Sequence, residues 1–85
     1  MDELMLDGNA IAGLLQELFA VEMTTAIGTC GVCGAAGPVG AAHVYRGPGV
    51  ELRCPHCDNL LAKIVKNDSR LWIDLKGIRT LEVAI

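Results

Sequence analysis

The chain has one serine, one tryptophan, one tyrosine and one phenylalanine, and no surplus of positive charge. Each shortage removes a class of function. The single serine, Ser69, lies in the turn-forming stretch "NDSR", so the Ser, His and Asp residues make no nucleophilic triad. The ten glycines follow neither a phosphate-loop nor a dinucleotide fingerprint, both of which need a set glycine order between a strand and a helix. His43 and His56 lack the paired-histidine company of a catalytic metal site. No enzyme activity is expected. Seven basic against ten acidic residues give a formal net charge of -3, which disfavours binding that depends on neutralising phosphates.

Long apolar runs are also missing. The most apolar stretch, "AIAGLLQELFAVEM", is broken by Glu17 and Glu22, well short of the roughly 20 residues a bilayer span needs. No membrane association is expected. The start, "MDELMLDGN", is acidic and carries no basic region followed by an apolar run and a cleavage site, so it does not read as a secretory leader. A reducing cytoplasm is the expected location, and there paired cysteines serve as metal ligands rather than as permanent disulfides.

What is present is a folded composition, 52% hydrophobic and 20% charged. A chain of 85 residues buries about 60–65% of its extended surface, enough for one domain over 1–85 with a modest core that benefits from an added staple. Ile11, Leu14, Leu15, Leu18, Val21 and Met23, joined by Phe19, recur at helical spacing and predict a helix over about 9–27, capped by Asp7 or Asn9 and ended near Gly28. From 28 to 85 the pattern is extended. "RGPG" separates segments 39–45 and 50–54 as a hairpin; "LLAKIVK", "RLWIDL" and "IRTLEVAI" alternate with period two, the last placing Leu81, Val83 and Ile85 together. Helix first and antiparallel strands afterwards predicts an α+β fold, the helix lying over one sheet face. Trp72, opposite Leu71 and Ile73 on its strand, is expected to anchor that helix, with an exposed interaction spot as the alternative.

All four cysteines fall in two matched pairs, "CGVCG" with Cys30 and Cys33 and "CPHCD" with Cys54 and Cys57, separated by 20 residues. Two intervening residues let both thiolates of a tight turn converge on one ion, and the hairpin between the pairs can return the second turn to complete a tetrahedron. Four thiolates close the zinc shell and leave no open position for water or substrate, so one structural Zn2+ per chain is expected. Tetrahedral iron accepts the same ligands, which keeps rubredoxin-type electron transfer as an alternative. Asp58 stands where the second knuckle of such a protein customarily has glycine, with an expected loss of backbone hydrogen bonding near sulfur. His56 is expected to project away from the metal.

"CGVCG", followed after a hairpin by "CPHCD", resembles the zinc ribbon class. The longer run "LDGNAIAGLLQELF…CGVCG…CPHCDNLLAKIV…RLWIDLKGIRTLEV" resembles a small bacterial family of unknown function over nearly the whole chain. The resemblance implies a helix on a small antiparallel zinc-ribbon sheet and a metal-binding role for Cys30, Cys33, Cys54 and Cys57, and brings no activity. The expectation is a noncatalytic zinc-stabilised accessory or protein-interaction module. Nucleic-acid binding is the runner-up, through Tyr45, Arg46 and Arg53 or through Arg70 with Trp72. Basic residues gather late, at Lys63, Lys66, Arg70, Lys76 and Arg79, and acidic ones early, at Asp2, Glu3, Asp7, Glu17 and Glu22. The partner is expected to be a protein, and a homodimer is expected through Leu14, Leu15, Leu18 and Phe19.

Overall fold

The structure, a computed structural model, describes residues 5–84, which leaves Asp2, Glu3 and Ile85 outside the described residues. The fold is α+β, and the described residues form one α-helix and two antiparallel sheets. Strand β1 is Met5–Asp7, β2 Ile27–Cys30, β3 Ala36–Pro38, β4 His43–Arg46, β5 Val50–Arg53, β6 Leu60–Lys66, β7 Leu71–Asp74 and β8 Ile78–Glu82; α1 is Ala12–Phe19. The larger sheet has the order β1-β4-β5-β6-β7 and the smaller the order β3-β2-β8. The expectation of a single sheet therefore gives way to two. The last strand leaves its sequence neighbour β7 and pairs with β2 instead, Cys30 opposite Ile78.

The helix is shorter than its apolar periodicity predicts. Asp7 accepts from the Asn9 N–H and opens a 3-10 turn, Gly8–Ile11, that leads into α1. Ala20 then takes a left-handed φ of 57°, its N–H closing on the Gln16 carbonyl, and the helix stops at Phe19. Beyond Ala20, tertiary contacts fold the chain back. The Glu22 carboxylate accepts from both the Thr24 hydroxyl and the Thr24 N–H, which holds its pKa below the usual range. Gly40 N–H donates to the Thr24 carbonyl and Val39 N–H to that of Ala26. Met23 and Ala26 are thereby buried rather than displayed on a fourth helical turn.

Period-two alternation sets the faces of the larger sheet. Val44, Leu52 and Ala62 lie opposite one another across β4, β5 and β6, and Ile64 lies opposite Val50. Together with Ile11 and Leu15 from the helical segment and Met23, Ala26, Val39 and Ala42 from the loops, they form the core. Leu14, Leu18 and Phe19 pack against that core, so much of the helix face expected to meet a second chain is occupied internally. The other sheet face carries Tyr45, Glu51, Lys63, Val65, Trp72 and Asp74. Trp72 is 51% exposed, contrary to its expected role as a helix anchor. Its strand register opposite Val65 places it on the open face, across the sheet from the core.

Gly77 makes the crossing from one sheet to the other. Its N–H donates to the Leu61 carbonyl at 3.2 Å, and its carbonyl accepts from the Gly31 N–H at 2.8 Å. A Cβ at this position would collide with the Leu60 carbonyl oxygen and lie 2.7 Å from the Leu61 Cα. The crossing is thus built at backbone contact distance.

Candidate metal centre

Each cysteine pair begins where a strand ends. Cys30 closes β2, and the turn through Cys33 leads into β3; Cys54 follows β5, and the turn through Cys57 leads into β6. The smaller sheet supplies one pair and the larger sheet the other.

The two turns repeat each other bond for bond. Gly34 N–H donates to the Cys30 carbonyl and Cys30 N–H to the Ala35 carbonyl; Asp58 N–H donates to the Cys54 carbonyl and Cys54 N–H to the Asn59 carbonyl. Val32 N–H reaches the Cys30 Sγ at 3.4 Å, and His56 N–H reaches the Cys54 Sγ at 3.4 Å. Gly34 has φ 77° and Asp58 has φ 64°. Asp58 therefore occupies the left-handed position that glycine fills in the first turn, and the backbone bonding expected to be weakened by the missing glycine is retained.

The four Sγ atoms lie within 4.8 Å of one another. Cys30 approaches Cys57 at 3.7 Å, and Cys33 approaches Cys54 at 3.7 Å. A tetrahedron with metal–sulfur arms of about 2.3 Å has edges of about 3.8 Å, so these spacings fit one ion. They are far beyond the about 2.05 Å of a disulfide bond, and all four cysteines are free. The first cysteine of each pair is buried and the second exposed. His56 is exposed on the second turn, outside the cluster, and His43 sits on β4. The structure thus brings together all four predicted ligands and neither histidine.

Gathering four thiols sets their protonation against one another. N–H donors from Cys33 and Val32 lower the Cys30 thiol to about 6. At Cys57 the Asn59 backbone N–H pulls the pKa down, but burial and the neighbouring sulfurs of Cys33, Cys30 and Cys54 outweigh it and push it up to about 12. A cluster that resists joint ionisation by itself is suited to a cation that offsets the accumulated charge. Asn59, which reads in sequence only as a turn residue, also directs its side-chain amide to the Cys30 Sγ at 3.8 Å. Its place two residues after Cys57 is the only sequence signal of that contact.

The matched turns, the four converging sulfurs and the α+β frame can be set beside known proteins. A model described as a family of unknown function (DUF6510) matches residues 1–85. The chain belongs to the DUF6510 family. No curated protein and no solved structure matches it at a significant level. Membership brings no activity or ligand, so the chemistry of the centre rests on the four cysteines of this DUF6510 chain. A cleft of about 220 Å³ adjoins them, lined by Ala35, Pro38, Leu52, Pro55, Leu61 and His56 among others. Among the described residues, His56 is the one ionisable side chain in that lining apart from the cysteines. Among the described residues, no helix is long and apolar enough to cross a membrane.

Proposed function

We propose that this protein is a noncatalytic, zinc-stabilised accessory module that works by docking to protein, with one structural Zn2+ held by Cys30, Cys33, Cys54 and Cys57. The observation that carries the reading is the origin of the ligands: two sulfurs come from each sheet, converging at tetrahedral spacing. An ion held there fastens the sheets together and supplies the staple that a core of this size benefits from, and four thiolates leave no coordination site for substrate. The nearly apolar lining of the adjoining cleft supports a structural rather than a catalytic centre. Free thiols suit a reducing compartment, and we place the protein in the cytoplasm.

Anaerobic purification from the native source, with metal analysis and mass spectrometry of co-purifying proteins, tests both halves of the proposal. The expected product is colourless, with one zinc per chain and a protein partner. Stoichiometric iron with thiolate charge-transfer absorption would replace this reading with electron transfer.

Nucleic-acid binding draws less support. The Arg53 guanidinium lies 5.8 Å from the Tyr45 ring centroid, a pair able to stack on a base. Arg53 is also bound to Glu51 at 3.2 Å and lies 3.8 Å from Asp58, while Lys63 faces Glu51 at 3.8 Å. The cations of this face are thus largely answered by its own carboxylates. Salt-dependent binding of a single-stranded oligonucleotide, lost on changing Arg46 and Arg53 with zinc retained, would reverse the ranking.

A further inference from the structure

Strand β7 ends the larger sheet, and among the described residues nothing pairs with its outer edge. Natural edge strands are usually protected by charge, proline, a bulge or short length. β7 is short, four residues, but its centre has no charge, proline or bulge: Leu71, Trp72, Ile73 and, just beyond, Leu75 are all exposed. Its backbone is also set for pairing. Asn67 N–H donates to the Arg70 carbonyl, so the hydrogen-bonded pairs of the β6–β7 ladder fall at Asn67/Arg70, Val65/Trp72 and Lys63/Asp74. By the alternation of an antiparallel ladder, Leu71 and Ile73 turn their N–H and C=O groups to the open edge.

Strand β7 is Leu71–Asp74, and with the turns that flank it the stretch reads Asp68-Ser69-Arg70-Leu71-Trp72-Ile73-Asp74-Leu75-Lys76, which is self-complementary about Trp72. If two copies are laid antiparallel with a twofold axis at Trp72, Leu71 meets the second copy's Ile73 and Arg70 meets its Asp74, while the flanking turn residues Asp68 and Lys76 bring opposite charges to the same end. Leu71 and Ile73 then exchange main-chain hydrogen bonds in both directions. The two Trp72 residues form the close, non-hydrogen-bonded pair at the axis, where cross-strand side chains approach most nearly. The neighbouring registers that keep each face intact are opposed by charge. Moving the axis to Ile73 brings Arg70 toward the like-charged turn residue Lys76, and moving it to Leu71 brings the turn residue Asp68 toward Asp74. We propose that β7 is a self-association edge, and that two copies join there in an antiparallel pair centred on Trp72 to make one continuous ten-stranded sheet. This surface lies on the opposite edge of the sheet from β1 and uses none of the four cysteines, so it stands or falls independently of the zinc reading.

The test uses the full-length, zinc-loaded chain in sedimentation equilibrium across the micromolar range, with zinc content measured in every sample. The wild type is expected at twice the 9.0 kDa chain mass. Arg70→Asp and Asp74→Arg each place two like-charged pairs across the axis, and each is expected to weaken dimerisation by about tenfold or more. Mixed in equal amounts, the two variants restore both opposite-charge pairs and are expected to form a mixed dimer. Ile73→Pro removes an outward N–H without taking a bond from the β6 ladder, so it should give a folded single chain with its zinc retained. A zinc-full wild type of one-chain mass throughout, a dimer that persists in Ile73→Pro, or charge variants that do not pair when mixed would each overturn the proposal. Capture of an extended peptide from another protein by a strictly single-chain wild type would likewise assign the edge to a different occupant.

Discussion

Replacing Gly77 by alanine adds one methyl group at the junction of the two sheets, and the structure allows its cost to be worked out. The new Cβ would meet backbone on every near side: the Leu60 carbonyl oxygen, the Leu61 Cα at 2.7 Å and the Leu60 carbonyl carbon at 2.8 Å. None of these is the tip of a flexible side chain, so the start of β6 and the 75–78 crossing must separate. Overpacking of this kind costs about 1–3 kcal/mol. Separation also strains the Gly31-to-Gly77 and Gly77-to-Leu61 hydrogen bonds, at a net cost of about 0.5 kcal/mol each. A total of about 2–4 kcal/mol is expected, a large share of the about 4–13 kcal/mol available to a chain of this length. Urea unfolding of the zinc-loaded protein should show the midpoint fall by about 1–3 M. Because Gly31 lies between the two cysteines of the first turn, loss of its bond to Gly77 should also speed transfer of the proposed zinc to a chelator. Gly37→Ala is the control, since nothing lies within 4 Å of its Cβ position and it should change the midpoint little. A Gly77→Ala protein with wild-type midpoint and chelator kinetics would refute the reasoning.

Cys54→Ala removes a buried thiol of the proposed zinc centre and should abolish both metal content and cooperative unfolding, whereas His56→Ala should keep its zinc; metal analysis with thermal melts checks both. Asp58→Gly relieves a left-handed residue and should stabilise the protein by about 0.5–1 kcal/mol in urea melts, its 3.8 Å contact with Arg53 being exposed and weak; a destabilised variant would show that the carboxylate matters more than the backbone. Zinc addition to the apoprotein near neutral pH should release protons, because Cys57, raised to about 12, is protonated there and must bind as thiolate. Zinc occupancy should therefore fall as pH falls. An indicator-dye titration showing zinc uptake without acid release would count against Cys57 as a ligand.

The candidate centre was legible because each pair is a local device: two residues between cysteines define a turn whatever the rest of the chain does. Strand β6 was legible for a similar reason, as "LLAKIVK" alternates without interruption and coincides with Leu60–Lys66. The end of the helix was not. Val21 and Met23 continue the helical spacing, and what turns the chain at Ala20 is the burial of Met23 and Ala26 with the bonds from Gly40 and Val39, all contacts distant in sequence. The strand predicted over 39–45 begins only at His43, since Val39–Ala41 is a 3-10 turn fastened to those same residues. Alternation separated Trp72 from Leu71 and Ile73 correctly, yet it carries no sign: the register with β6 decides which face meets the core. The division into two sheets depends on β8 choosing β2, and "KG" marks a break without naming the next partner.

That choice of partner has a consequence for the order in which the fold assembles. All four cysteines precede β7 and β8, and each lies on a hairpin formed by nearby residues, so an ion can be captured before the C-terminal strands are in place. Strand β8 must then return across more than half of the chain to reach β2. Capture at Cys57 more than halves that return loop, but halving a loop lowers its closure entropy by only about 0.6 kcal/mol. The gain is in sequence of events rather than in stability. With the proposed ion in place, the expected order is an early thiolate nucleus with β8 added last and able to open again while the ion stays bound. Amide hydrogen exchange should record that separation as fast-exchanging protons on β8 beside slow ones at Cys30 and Cys54.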